Sequence, residues 1–338
     1  MAECLTYVSQ KIHKIRWKPT STTIQKSETF ATGSYEDLAN SITIWGVGHM
    51  TGVVNQDKFE VADLENSQPR RQCCCKIPGD VNGMEFANSE IIVAGLSSGA
   101  VYLVRLESQS QELNVQFNWE NLHPYGGSTD IAANLPEIVS VGEDGTIHIM
   151  RIDSKRPLRT FAHSDSCPIT QVQYLNTHEL CTTNTVGQLR IWDVRSPTDA
   201  PTRVMSSSET LVALRCVDQH PTQSYILASG GSDGCVTLFD IRKECSPLTK
   251  LQIHDEDIWE LRFHRTSPSY IFSCSEDGSV RRLNSSFEMK ALSLGGSNID
   301  VSELVPKCGS SMNSLDVSGT RMLCATDAES VYVIDDVI

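Results

Sequence analysis

Five glycine-ended turns recur along the chain at nearly constant spacing, and this periodicity restricts the fold more than any other feature. They end at Gly99 (Ser-Ser-Gly), Gly145 (Glu-Asp-Gly), Gly187 (Thr-Val-Gly), Gly234 (Ser-Asp-Gly) and Gly278 (Glu-Asp-Gly), at intervals of 46, 42, 47 and 44 residues. The stretch Leu214 to Arg242, LRCVDQHPTQSYILASGGSDGCVTLFDIR, shows what an interval contains. Three short apolar segments (Leu214 to Val217, Tyr225 to Ser229, Cys235 to Ile241) are separated by Asp-Gln-His-Pro-Thr and Gly-Gly-Ser-Asp-Gly. Short segments rich in Val, Ile, Leu, Phe and Thr, bounded by Gly, Pro and Asp, fit half-buried strands. Asp233-Gly234 suits a tight hairpin turn, whose central residues need positive φ.

Two degenerate turns extend the series: Asp327-Ala328-Glu329 ends 51 residues after Gly278, and Tyr35-Glu36-Asp37 precedes Gly99. Seven repeats with a period near 40–45 residues and three or four strands each predict an all-β fold, a seven-bladed WD40 β-propeller. Leucine-rich repeats are shorter, and helical repeats lack such turns. Seven blades of about 45 residues come to about 315, so residues 1–338 are expected to form a single propeller. No helix longer than a turn or two is expected.

Blade one contains Glu28 to Ser34 and Ser41 to Val47, with Trp45 where a WD repeat carries its tryptophan. Blade two follows as Asp80 to Phe86, Glu90 to Gly95 and Ala100 to Leu106. Blade three is Asp130 to Ile152 and blade four Ile169 to Arg195, with the one literal Trp-Asp at Trp192-Asp193. Blade five is the stretch above, blade six Ile258 to Leu283, and blade seven Met312 to Ile334. Blade seven ends near Ile338 without room for its own outer strand. Since an unpaired sheet edge is a liability, the segment Thr6 to Ile12, with Tyr7, Val8 and Ile12, is expected to pair there and close the ring. Two long connections interrupt the pattern. Residues 48–79 predict a surface loop over 48–70 and an outer strand near Arg71 to Ile77. Residues 284–311, with seven Ser and three Gly, predict an outer strand and a disordered or variable loop.

The net charge of −14 argues against direct binding to nucleic acid phosphate or an anionic membrane surface. The N-terminus shows no continuous apolar core of a signal peptide, and no run approaches the 18 apolar residues of a membrane span. The twelve cysteines, mostly inside strand-like segments, read as reduced thiols of a cytosolic or nuclear protein.

Several motifs invite chemistry and are read as structure. A WD blade stabilises itself through a buried polar chain of His, Ser or Thr, Asp and Trp. Here His254, Ser273 and Asp277 of blade six, and His163 and Trp192 of blade four, supply parts of it. Gly95-Leu96-Ser97-Ser98-Gly99 matches a nucleophile elbow, which needs a strand leading into a helix; this segment joins two strands. Cys73-Cys74-Cys75 cannot converge on one ion, because neighbouring side chains of a strand point to opposite faces. Asn284-Ser285-Ser286 is a glycosylation sequon by pattern alone. Asp255-Glu256-Asp257 and the basic run Lys11 to Lys18 read as solvated surface. Trp192-Asp193-Val194-Arg195 and Phe239-Asp240-Ile241-Arg242 resemble the W-D-x-R box through which WD-repeat substrate receptors dock on a cullin-RING ligase adaptor; the structural alternative is that Asp and Arg satisfy contacts at a strand end. No catalytic residue, metal, cofactor or small-molecule substrate is expected.

Beyond the repeats, the chain resembles the small seven-bladed WD-repeat nucleoporin of the Y-shaped outer-ring subcomplex of the nuclear pore. The resemblance is carried by Val8-Ser9-Gln10-Lys11-Ile12 through Arg16-Trp17, Glu28 to Ser34, Glu137-Ile138-Val139 to Gly142-Glu143-Asp144-Gly145, and Gly187-Gln188-Leu189. Cys216-Val217-Asp218 to His220-Pro221, Asn313 to Val317 and Ala325 to Glu329 complete it. The two long connections do not match, and blades five and six lack the third-strand Trp. The resemblance implies a non-enzymatic scaffold at the nuclear envelope, contacting helical-solenoid and other WD-repeat nucleoporins. It also implies an indirect part in mRNA export and protein transport, and a kinetochore association in mitosis. The alternative function is a ubiquitin-ligase substrate receptor, docking through Trp192, Asp193 and Arg195 or Phe239, Asp240 and Arg242.

Overall fold

A computed structural model describes residues 3–20, 27–47, 68–107, 112–162, 164–207, 211–243, 246–284 and 300–338. Seven four-stranded antiparallel sheets follow one another. Blade two is typical, with β6 (Val81–Phe86), β7 (Ile91–Leu96), β8 (Val101–Glu107) and β9 (Glu112–Trp119) in spatial order 6-7-8-9. The innermost strands, starting with β2 (Ile12–Trp17) of blade one, pack on those of the adjacent blades around the ring. The seven-bladed propeller legible in the repeats is therefore the fold.

Burial explains why the second strands lose the alternation of an ordinary half-buried strand. Strand β7 (IIVAGL), β11 (Glu137–Gly142) and β23 (Tyr270–Ser275) are buried at every position after the first. Each lies between two neighbouring blades, so both faces are covered and a continuous apolar run is selected. The core is accordingly divided into layers between blades. Ala31, Ile42 and Ile44 of blade one pack with Val81, Met84 and Ile92 of blade two, as one such layer.

The turn glycines hold the register. Gly234 has φ 72°, which an L side chain tolerates poorly. Its carbonyl accepts the backbone N–H groups of Ile253 and His254, the first residues of the connection to the next blade, at 3.0 and 2.9 Å. Gly99, Gly145, Gly187 and Gly278 repeat this arrangement with His123, Asp165, Ser207 and Cys308. In blade seven Glu329 occupies the glycine position and still adopts φ 54°, so spacing rather than residue type revealed that turn.

Ring closure follows the expected principle with a different strand. Strand β1 (Glu3–Tyr7) pairs antiparallel with β28 (Ser330–Ile334), Glu3 opposite Ile334 and Tyr7 opposite Ser330. The closing strand is thus Glu3–Tyr7 and not Thr6 to Ile12. Tyr7 ends it, its hydroxyl donating to Glu329 Oε2 at 2.5 Å, and the Val8 N–H donates to the Glu329 carbonyl at 2.8 Å. Ile12 is corrected: it opens β2, opposite Ser34, because its buried side chain belongs to the layer between blades seven and one, with Trp17, Phe30, Leu323 and Val331.

The anticipated outer strands in the two long connections are β5 (Arg70–Lys76) and β25 (Asp300–Val305). Residues 48–67 and 285–299, which include most of both expected loops and Ser285-Ser286 of the sequon, lie outside the described residues, as does His163.

Candidate functional site

The innermost strands place polar side chains where an apolar pattern would be expected, and these join the blades. The inner edge of each such strand points backbone N–H groups towards the channel, and buried N–H groups require acceptors. At six successive junctions the acceptor comes from the preceding blade. Glu85 accepts from Ala133 N at 2.8 Å, Asp130 from Val172 N at 3.2 Å, and Gln171 from Val217 N. Asp218 accepts from Phe263 N at 2.8 Å, Glu260 from Leu315 N at 3.2 Å, and Asp316 from Trp17 N at 2.7 Å. At the remaining junction Asp80 Oδ1 accepts from the Glu36 N–H and the Asn40 side-chain amide, at 2.9 and 2.8 Å.

The electrostatics of the channel follow from burial. Burial pushes the Glu85 carboxyl up to about 7, against the hydrogen bond from Ala133. Burial raises Asp130 and Asp316 as well. It also works against the Glu260 charge, yet Arg16, Lys14 and Arg262 outweigh it and hold that carboxyl well below the usual range. A cavity of ≈ 140 Å³ within the channel touches Arg16, Glu85, Asp130, Tyr174 and Arg262. Glu85 and Asp130 accept backbone N–H groups of the next blade there, and Arg16 pairs with Glu260 of blade six, which makes this a structural girdle.

Among the described residues, the buried polar chains expected of the repeat are present in two blades. In blade six His254 Nε2 lies 2.8 Å from Ser273 Oγ, while Nδ1 lies 3.3 Å from Asp277 and 3.1 Å from Ser279 Oγ. Burial lowers His254 to about 4. Burial would raise Asp277, but hydrogen bonds from Ser279 and the Asp255 N–H hold it at about 2. Blade three has an equivalent chain that sequence reading missed, with His123 Nε2 2.8 Å from Ser140 Oγ and Nδ1 3.0 Å from both Asp144 and Thr146. The available signal was a histidine 22 residues before a turn glycine, against 24 in blade six. Trp45 and Trp192 each donate an indole N–H at 2.9 Å, to Thr32 and Thr182. These chains consume the histidines and aspartates that would otherwise resemble catalytic groups.

Both W-D-x-R-like boxes fold onto themselves. Asp193 ends β16 (Gln188–Asp193) and accepts from the Arg195 backbone N, Nε and Nη2 at 2.9–3.0 Å. Asp240 ends β20 (Cys235–Asp240) and accepts from the same three groups of Arg242 at 2.8–3.0 Å. Trp192 and Phe239 are buried in interblade layers, and the Arg242 guanidinium lies 3.3 Å over the Tyr225 ring. The boxes are two copies of one strand-end turn on the same face of adjacent blades. Ser97 stands on the turn between β7 and β8 and accepts from Asp80 N at 2.9 Å. Cys73 and Cys75 pack on the layer between blades one and two, while Cys74 accepts from Arg71. The eleven cysteines among the described residues are free thiols.

The chain topology divides the surface into two unlike faces. Antiparallel strands running outward put the turns between second and third strands, and the connections between blades, on one face; the remaining turns lie on the other. Among the described residues, the first face carries fifteen carboxylates on its connecting segments and only two cations, Lys11 and Lys307. Blades one to three contribute Glu36, Asp37, Asp80, Glu120, Glu143 and Asp144. The rest are Asp165, Asp233, Asp255, Glu256, Asp257, Glu276, Asp277, Asp327 and Glu329. The opposite face is near balance among the described residues, with seven cations and six carboxylates. The acidity legible in the composition is thus concentrated on one side of the ring, the surface best suited to selecting a partner by charge.

Comparison with known proteins bears on what such a ring is for. A WD domain, G-beta repeat model matches residues 201–240 and 245–282. Nucleoporin Nup43 of Homo sapiens is 34% identical along an alignment covering 97% of each chain, and that of Mus musculus matches to the same extent. Nuclear pore complex protein NUP43 of Arabidopsis thaliana is 22% identical over 80% of this chain and 82% of its own length.

Proposed function

Because this chain belongs to the nucleoporin Nup43 family, we propose that it serves as a non-enzymatic scaffold subunit of the nuclear pore complex. The observation that carries this reading is the extent of the match, 34% identity over 97% of the chain. The physical character of the ring supports it. Its buried polar groups join blades to one another, and its exposed chemistry lies in loops and charge, as suits a rigid holder of partners.

In this reading the chain occupies the Y-shaped outer-ring subcomplex, contacts helical-solenoid and other WD-repeat nucleoporins, and supports mRNA export and protein transport indirectly. Tagging the full chain in nucleated cells tests it. A rim signal at the nuclear envelope, with recovery of other outer-ring nucleoporins on pull-down, is expected; uniform cytoplasmic signal with no such recovery sinks it. Imaging through mitosis decides the kinetochore association.

A further inference from the structure

The three most exposed large apolar side chains of the described residues, fully exposed Leu38, Tyr125 at 90% and Leu211 at 81%, all stand on the acidic face. Leu38 and Tyr125 flank one sector of it. The loop bearing Leu38 is tied to Asp80 through the Glu36 N–H and the Asn40 amide. Asp80 N donates to Ser97 Oγ, and the Gly99 carbonyl of the same turn accepts from His123 N, two residues before Tyr125. The blade-two turn between the two apolar residues is Ser97-Ser98-Gly99, an uncharged turn with exposed hydroxyls. Two apolar anchors are therefore held on a hydrogen-bonded platform rather than on independent loops.

Among the described residues, much of the charge around that platform is uncompensated, as it is at Glu276, Asp327 and Glu329 of the same face. In blades five and six three carboxylates are paired with cations: Asp233 with Lys250 at 2.6 Å, Asp257 with Arg215 at 2.7 Å, and Asp255 with Lys307. Around blade two Glu36 pairs with Lys11 at 2.7 Å, and four further carboxylates meet neutral donors alone among the described residues. Asp37 accepts from the Gln10 amide at 2.9 Å, Glu120 from the Asn118 amide at 3.1 Å, and Glu143 from the Gly127 N–H at 3.2 Å. With Asp80, these are four carboxylates without a cation partner among the described residues, set around two exposed apolar side chains.

We propose that the blade-two sector of the acidic face docks a basic amphipathic helix of a partner protein, whose apolar residues meet Leu38 and Tyr125 and whose Lys or Arg side chains meet Asp37, Asp80, Glu120 and Glu143. Apolar contact supplies affinity, and the uncompensated carboxylates select the sign of the partner. The docking mode is that of an apolar helix face laid on an exposed surface. It deepens the scaffold reading by assigning a surface to the helical partners, and rests on that reading for their identity.

Fluorescence anisotropy of a labelled helical peptide of Leu and Lys, titrated with the full chain, tests the surface directly. Binding is expected, weakened at least about tenfold by Leu38→Ser with Tyr125→Ser, and weakened also when salt is raised several-fold. Leu158→Ser, at an exposed residue of the opposite face, is expected to bind like the parent. Failure of the lysine peptide to bind, equal binding of the double variant, or equal binding of a Leu and Glu peptide overturns the surface. Rim localisation of the tagged parent chain is scored separately: its absence with peptide binding intact counts against the pore reading and leaves the surface standing.

Discussion

Arg16 on the innermost strand of blade one and Glu260 on that of blade six meet at 2.6 Å across the innermost strand of blade seven, with side-chain exposures of 8% and 1%. Ser314 of blade seven sits between them, donating to Glu260 Oε2 at 2.5 Å and accepting from Arg16 Nη1 at 3.1 Å. Glu260 Oε1 also accepts from Arg262 at 2.9 Å. One carboxylate thus joins three blades at the seam where the two ends of the chain meet. Glu260→Ala leaves two guanidinium groups without it, and is expected to destabilise by about 3–5 kcal/mol, as removal of one member of a buried pair does. Urea denaturation checks this, and a change under about 1 kcal/mol contradicts it.

The turn glycines differ in what surrounds them. A Cβ at Gly234 strikes the His254 carbonyl, whereas at Gly309, with nearly the same φ of 73°, it meets nothing within 4 Å. Gly309→Ala is expected to cost about 1–2 kcal/mol from backbone strain alone, and Gly234→Ala clearly more. Equal denaturation midpoints for the two variants contradict the register role assigned to the turn.

Buried histidines set an acid-side limit. Burial lowers His254 to about 4, and burial followed by the His123 neighbour lowers His148 to about 4. The unfolded chain therefore binds more protons between about pH 6.5 and pH 4. Their contribution is full above about 6.5 and is lost as pH falls to about 4. Glu85, raised to about 7, acts oppositely: its contribution is present below about 4.5 and lost as pH rises through 7. Glu85→Gln should steepen the fall in Tm from pH 6.5 to 4, and parallel Tm profiles for parent and variant refute the assignment.

Removing residues 1–7 deletes the outer strand of blade seven. Thermal melts of that truncation should show a lower Tm than the full chain, while Tyr7→Phe, which loses one exposed hydrogen bond to Glu329, should leave Tm nearly unchanged. An unchanged Tm for the truncation would mean that the strand pairing contributes little to closure.

Arg195 and Arg242 are spent on Asp193 and Asp240 of their own turns. The double substitution Arg195→Ala with Arg242→Ala is expected to retain the rim signal and the recovery of nucleoporins. Loss of a cullin adaptor from pull-downs on that substitution would instead favour ligase docking.

Much of the fold was legible because the tight turns demand unusual residues at fixed spacing: Asp233-Gly234 and Asp277-Gly278 announce themselves. From sequence the closing strand reads as lying later along the chain than it does because Leu5 to Trp17 alternates imperfectly, and register alone separates the residues of β1 from those of β2. Outer strands such as β13 (Arg159–Phe161) and β17 (Arg203–Ser206) are short, with one buried residue each, so they carry little apolar signal. The girdle of Glu85, Asp130, Asp218, Glu260 and Asp316 was not legible. Each reads as an interruption of an apolar strand, and its acceptor role depends on the neighbouring blade, about one repeat away or, for Asp316 and Trp17, at the other end of the chain. The charge asymmetry was hidden for a related reason: composition sums both faces, and only the strand directions separate them.

The closure has a mechanical consequence. Glu3 and Ile334 are opposite one another at the same end of an antiparallel pair, so tension applied to the two chain ends loads one rung at a time. The clasp peels like a zipper and does not shear as a block. Under pulling, the ring should part first at this seam while the other six blades remain folded, making the closure the first contact to yield.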